Sequence, residues 1–337
     1  MNRKKMLPLL VVAAVILLLA VTLALLTVTG DGEASQGTAL CPFTAEQVDR
    51  LSYQGSNTDV ALLKGSEDNW MLESDPALPL EQNTVQSLVE SFVSLTAQRS
   101  LREEELAEIP ARSEAPLMVF SLTGGEETWT LTVDQSNDVA DIYYVYDGQG
   151  NAYTVAQSDL NGLCKAPRDL YAPQTLTQQS LEDVAELQVG DLHFVQSGGN
   201  WTLADDPGYS LDQSAVKKMV NTLCGLQTEW TITAPEQDAA YGLDAPDVTA
   251  VLTFTDGSAL TVRFGSLAAE DDALCYLASS GDANVVYEVS ADHRNAFAVT
   301  KESLYNAEAT AETAQQEGDV VAQYPVGGRE DYADSIE

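Results

Sequence analysis

The sequence is poor in the residues that carry most enzymatic proton transfer and metal binding: 337 residues contain two histidines, His193 and His293, and four cysteines. No CxxC pair occurs, so zinc-ribbon and thiol-redox chemistry have no support in the spacing. Neither histidine has a G-x-S-x-G elbow or a cysteine nucleophile signature to serve. Positive charge is scarce as well, with 16 Lys and Arg against 52 Asp and Glu, a net −36. A phosphate backbone is held by Lys and Arg clusters that displace its counterions, and the one such cluster is Arg3-Lys4-Lys5. Nucleic acid is therefore excluded as a partner. Acidic runs such as Glu103-Glu104-Glu105 and Glu270-Asp271-Asp272 could exchange protons, but in so acidic a chain they read as solvated faces.

What the chain does have begins with an uncharged stretch from Met6 to Gly30, whose apolar part, Leu7 to Val28, is 22 residues long. As a helix it would run about 33 Å, against a bilayer core of about 30 Å. Arg3, Lys4 and Lys5 precede it while Asp31 and Glu33 follow, so the positive-inside rule places residues 1–6 in the cytoplasm and everything after the span outside. A cleaved signal peptide is the competing reading, but its apolar region is shorter, about 7 to 15 residues, and ends in an A-x-A-like site. Cys41 lies too far beyond the span to be a lipoprotein cysteine. The expected location is thus the cell membrane, single-pass, with the bulk of the chain extracytoplasmic. There the cysteines could pair as Cys41 with Cys164 and Cys224 with Cys275, or stay buried as small hydrophobes; spacing leaves both open.

The chain then repeats itself. Trp70 to Leu95 aligns without a gap on Trp201 to Leu226, at a constant separation of 131 residues. Trp70 matches Trp201, Asp75-Pro76 matches Asp206-Pro207, Leu80 matches Leu211, Gln82 matches Gln213, Val85 matches Val216 and Leu95 matches Leu226. A fixed-period repeat of this length means a duplicated domain. In the second copy Val184–Val189, Leu192–Gln196 and Asn200–Leu203 read as strands of a meander. A helix follows, because Val216, Met219, Val220 and Leu223 recur at helical spacing, with Asp212 or Ser214 as N-cap and Gly225 as the stop. Val85, Leu88, Val89 and Phe92 form the same stripe in the first copy. Four more strands are expected over 248–255, 258–264, 273–278 and 284–289, with first-copy counterparts at 117–123, 128–133, 141–146 and 152–155. Each copy ends in a short helical stretch, at Leu170-Tyr171 and Leu304-Tyr305, now 134 residues apart, so insertions fall in loops.

The fold class is accordingly α+β: an N-terminal transmembrane helix, then two tandem repeats, each an antiparallel sheet packed with a helix. Residues 7–28 form the anchor, 29–46 a linker, 47–171 the first repeat, 172–180 a second linker, 181–305 the second repeat, and 306–337 an acidic disordered tail.

These residues resemble a bacterial family of membrane-anchored proteins, the domain-of-unknown-function family 4340, over nearly the whole ectodomain. The carriers are the basic start and single span, the pattern Trp201, Leu203, Pro207, Leu211, Asp212, Gln213, Val216, and the run Tyr241-Gly242-Leu243-Asp244-Ala245-Pro246 before a strand hairpin. The resemblance implies a repeated α+β ectodomain and, since members are often encoded beside gliding-motility-type ABC transporters, a membrane-protein partner. The first copy departs from it: Glu108-Ile109-Pro110-Ala111-Arg112 stands where Tyr241-Gly242-Leu243 is expected, so a site built on that turn exists once per chain.

Trp70 and Trp201, with Val85, Val216, Leu95 and Leu226, are expected to be the structural core of the repeat. Tyr241, Gly242, Leu243 and Pro246 are the candidate interaction loop, since loops carry much binding function. Of Tyr143, Tyr144 and Tyr146, Tyr144 and Tyr146 share one strand face; the run reads as a plain amphipathic strand with one face in the core, and a protein contact by the exposed set is the alternative. Asp134-Gln135-Ser136-Asn137-Asp138 starts like a calcium loop, but Val139 stands where the required Gly belongs, and it reads as a polar loop. Catalytic, cofactor and metal sites are not expected; weak binding of divalent cations by the acidic field is. The expected function is a non-enzymatic, membrane-anchored extracytoplasmic accessory or interaction protein, an auxiliary of an ABC-transporter-type assembly. A ligand- or cation-binding module of the cell envelope is the second reading and a hydrolase the remotest.

Overall fold

The computed structural model describes residues 37–55, 58–109 and 111–306. The expected cytoplasmic stub, anchor and acidic tail lie outside these residues. Among the described residues no helix is long and apolar enough to cross a membrane. The chain divides into two compact units, the first closing at Leu170 and the second opening at Tyr171.

Each unit is built on one eight-stranded antiparallel sheet. In the first unit the strands are β1 (Arg50–Gly55), β2 (Thr58–Lys64), β3 (Trp70–Leu72), β4 (Arg99–Ser100), β5 (Met118–Gly124), β6 (Glu127–Asn137), β7 (Ile142–Asp147) and β8 (Ala152–Ala156). The second unit follows with β9 (Val184–Val189), β10 (Leu192–Ser197), β11 (Asn200–Leu203), β12 (Trp230–Ile232), β13 (Val248–Phe254), β14 (Ala259–Leu267), β15 (Leu274–Ser279) and β16 (Asp282–Ser290). The orders are β3-β2-β1-β5-β6-β7-β8-β4 and β11-β10-β9-β13-β14-β15-β16-β12, identical once eight is added to each label. The expected three-strand meander is thus one end of a larger sheet. After β3 the chain crosses by the helix α1 (Gln82–Val93) to the opposite edge, where β4 pairs with β8; α2 (Gln213–Cys224) does the same between β11 and β12.

The apolar stripes are what hold the helices to the sheet. Val85, Leu88, Val89 and Phe92 are buried, as are Val216, Met219, Val220 and Leu223. Asp212 caps α2, its Oδ1 accepting from Ser214 N at 2.9 Å and Ala215 N at 3.1 Å, whereas Glu81 caps α1 with no side-chain bond. The aromatic bulk of the core changes place between the copies. Tyr53 opposite Phe120 and Phe92 at 4.8 Å from Phe120 supply the aromatic bulk of the first unit. The equivalent strand pair in the second unit is Val189 opposite Ala250, and there Phe264 stacked on Phe297 at 5.6 Å supplies it instead.

The matched Trp and Gln residues form one device. Gln82, the first residue of α1, accepts from Trp70 N through Oε1 at 2.7 Å and donates to Trp70 O through Nε2 at 3.0 Å. Gln213 makes the same two bonds to Trp201, both at 2.8 Å. The amide thereby satisfies the outward N–H and C=O of an edge strand, as a neighbouring strand would, and closes that edge to strand addition. Trp70 and Trp201 are themselves buried, with Val85, Leu95, Val216 and Leu226. At the end of each repeat the chain returns to the helix start, with Glu81 N donating to Leu170 O and Asp212 N to Leu304 O, both at 2.8 Å.

Two expectations are corrected, and two strands are added. The segment 29–46 is not all linker: Thr38–Ala39 pairs with Thr96–Ala97, Ala45–Gln47 is a 3₁₀ turn and Cys41 is buried. The polar run from Asp134 is not a loop, because Asp134 to Asn137 continue β6 past a bulge between Val133 and Gln135, which turns Asp134 inward. Arg99–Ser100 and Trp230–Ile232, unassigned from sequence, complete the sheets as edge strands. All four cysteines are unpaired.

Candidate functional site

Each unit carries an open cleft at the same place, where three separate segments meet. In the first unit these are the β1–β2 turn, the chain entering β5 at Pro116–Val119, and Leu160–Gly162 after the short helix that follows β8. In the second they are the β9–β10 turn, Pro246–Thr249 entering β13, and the stretch from Arg294 to Lys301. The volumes are about 810 and 720 Å³. Shape is kept while chemistry is not.

The first cleft is lined by Met118, Tyr143 and Cys164, with Tyr143 OH donating to Asn161 Oδ1 at 2.9 Å. Burial pushes the Cys164 thiol up from its ordinary value, which keeps it protonated and a poor nucleophile. In the second cleft Arg294 reaches Asp247 at 2.8 Å and Lys301 reaches Asp206 at 3.0 Å, with Phe297 buried in its wall. The hydrogen bond to Asp206 raises the Lys301 ammonium above its ordinary value. Lys301 also lies 5.0 Å from the centre of the Tyr209 ring. Both cations thus engage carboxylates of the same unit.

The Tyr241 turn sits on the sheet face opposite α2. Tyr241 and Leu243 are buried there in a small cluster with Ala278 and Val286, and the Tyr241 ring meets Tyr276 edge-on at 4.9 Å. Gly242 has φ +68°, and the turn lies directly on the bulge of β14. A Cβ at Gly265 would stand 2.1 Å from Tyr241 O, so only glycine admits this approach. Arg263 then ties the turn down, its Nη1 donating to Leu243 O at 2.7 Å and Asp238 Oδ2 at 2.8 Å. Of the four candidate loop residues, Tyr241 and Leu243 are packed away, Gly242 is half-buried, and Pro246 alone lines the second cleft.

The first unit covers the same face by other means. At the position of Gly265 stands Asp134, buried, whose Oδ1 accepts from Ser113 N at 2.9 Å. Arg112 lies 4.1 Å from the centre of the buried Tyr146 ring. The shared strand face of Tyr144 and Tyr146 is therefore covered at Tyr146, and Tyr144 OH accepts from Asn137 Nδ2 at 3.3 Å. Tyr143 faces the cleft instead.

The two histidines sit on separate elements of the second unit. His193 on β10 sits 2.9 Å from Glu186 on β9, both partly exposed, as a cross-strand surface pair. His293 lies in the five-residue helix Ala291–Asn295. Among the described residues no group of three or more His, Cys, Asp or Glu gathers in a metal-binding arrangement. The clefts are not legible in the sequence because each draws on segments spread over about a hundred residues; the one local signal is Pro246 with its counterpart Pro116.

No curated protein and no solved structure matches the chain. A family model does, over residues 70–200 and again over 201–316. Each match starts at the matched tryptophan, at β3 and at β11, so the matched stretch is offset from the sheet, whose strands begin at β1 and β9. With both consecutive segments matched, the chain belongs to the family described as Domain of unknown function (DUF4340) and carries its domain twice in tandem.

Proposed function

We propose that this protein is a non-enzymatic, membrane-anchored extracytoplasmic interaction module that serves as an accessory part of a membrane assembly of the ABC-transporter type. The observation that carries the reading is the pair of equivalent clefts, alike in position and size and unlike in lining. Duplicated catalytic sites must keep the reacting groups to keep the reaction, because rate depends on those groups and their geometry. Duplicated recognition surfaces are free to diverge, since each copy can take a different segment of a partner. The anchor reading rests on the uncharged stretch from Met6 to Gly30, and the extracytoplasmic orientation on Arg3, Lys4 and Lys5 before it.

Crosslinking in intact cells followed by affinity capture of the full chain tests this. Integral membrane proteins are the expected catch. Capture of soluble proteins alone would overturn it.

A further inference from the structure

The outer face of α2 carries charge that the rest of the second unit does not leave free. Its stripe Ser214, Lys217, Lys218, Asn221 and Thr222 follows helical spacing opposite the buried stripe, and borders an open groove with His293 on the far side. Lys217 and Lys218 are exposed and pair with no carboxylate among the described residues. The other described cations of this unit, Arg263, Arg294 and Lys301, are bound to Asp238, Asp247 and Asp206.

The first unit supplies an internal control. Lys217, Lys218 and Asn221 occupy the positions of Gln86, Ser87 and Glu90 in α1, and His293 that of Asp159 in the short helix Gln157–Leu160. Gln86 and Glu90 are bonded to each other at 3.1 Å, so the same face there is self-satisfied and acidic. Between the copies this surface has gone from two acidic groups to two lysines and a histidine, against a net charge of −36. Two adjacent unpaired lysines on a helix face are point charges suited to a run of carboxylates, not to one bidentate group.

We propose that this face docks an acidic, carboxylate-rich segment of a partner protein, at a surface separate from the clefts. At physiological salt the Debye length is about 8 Å, so the local patch outweighs the distant charge of the chain.

The test uses the full chain in uncharged detergent micelles and a fluorescein-labelled hexaglutamate peptide, read by anisotropy in 0.15 M salt. Saturable binding is expected, weakened about tenfold by Lys217→Gln with Lys218→Gln, severalfold by His293→Gln, and unchanged by Lys64→Gln. Thermal melting of each variant checks that the fold is kept. Absence of binding, or equal binding by the double variant, would overturn the proposal. So would displacement of the peptide by inorganic phosphate at matched ionic strength, which would make the face a small-anion site. Lysine-dependent binding of phosphatidylglycerol vesicles without binding of the peptide would assign it to lipid and equally overturn it.

Discussion

At the scale of single residues, the repeat is held by groups that answer backbone demands at a distance. Gln82 and Gln213 each satisfy both polar groups of one edge residue. Gln213→Ala leaves Trp201 N–H and C=O without partners, and about 2 kcal/mol of stability is expected to go in urea unfolding. Gly265 answers a steric demand. Gly265→Ala puts a methyl 2.1 Å from Tyr241 O and is expected to cost more than about 2 kcal/mol, while Gly208→Ala, which meets nothing within 4 Å, stays within about 0.5 kcal/mol. Sequence reading saw the Trp–Gln pairs as matched positions because the spacing repeats, but took Tyr241 for a candidate interaction loop. The reason it packs instead is a missing side chain 24 residues later, at Gly265, and no local pattern announces that.

At the scale of elements, the helices were legible because a buried stripe imposes its own period: α1 and α2 both bury the four residues expected of them. Cap chemistry was legible too, and it differs between copies. Asp212→Ala should cost about 1 kcal/mol, whereas Glu81→Ala, which removes no cap bond, should cost little. The edge strands β4 and β12 were not legible. Arg99–Ser100 is two exposed residues and Trp230–Ile232 is three residues with only Thr231 buried, too short for a period to show; they are strands because β8 and β16 offer free edges. Asp134 was misread for a related reason, since a bulge breaks the period-two pattern where the strand continues. The sheet interior also sets thiol reactivity. Burial pushes Cys275 up to about 11, so alkylation of the native chain at pH 8 should leave it unmodified until denaturant is added.

At the scale of the whole molecule, duplication conserved topology and cleft position while letting polar chemistry drift. Tyr171 marks where the second unit starts: its hydroxyl lies within hydrogen-bonding distance of Thr228 and Thr231, and its ring packs 5.3 Å from Trp230. A fragment from Tyr171 to Asn306 is therefore expected to unfold cooperatively and to exceed the fragment from Thr175 by at least about 2 kcal/mol in urea. Equal stabilities would remove Tyr171 from the unit. The decisive measurement for the recognition role is site-specific photocrosslinking in intact cells, with the photoreactive residue at Val299 in the second cleft or at Val139, an exposed turn residue that lines neither cleft. A discrete adduct with an integral membrane protein from Val299 and not from Val139 is the predicted result; adducts of equal yield from both positions, or none from Val299, would contradict it.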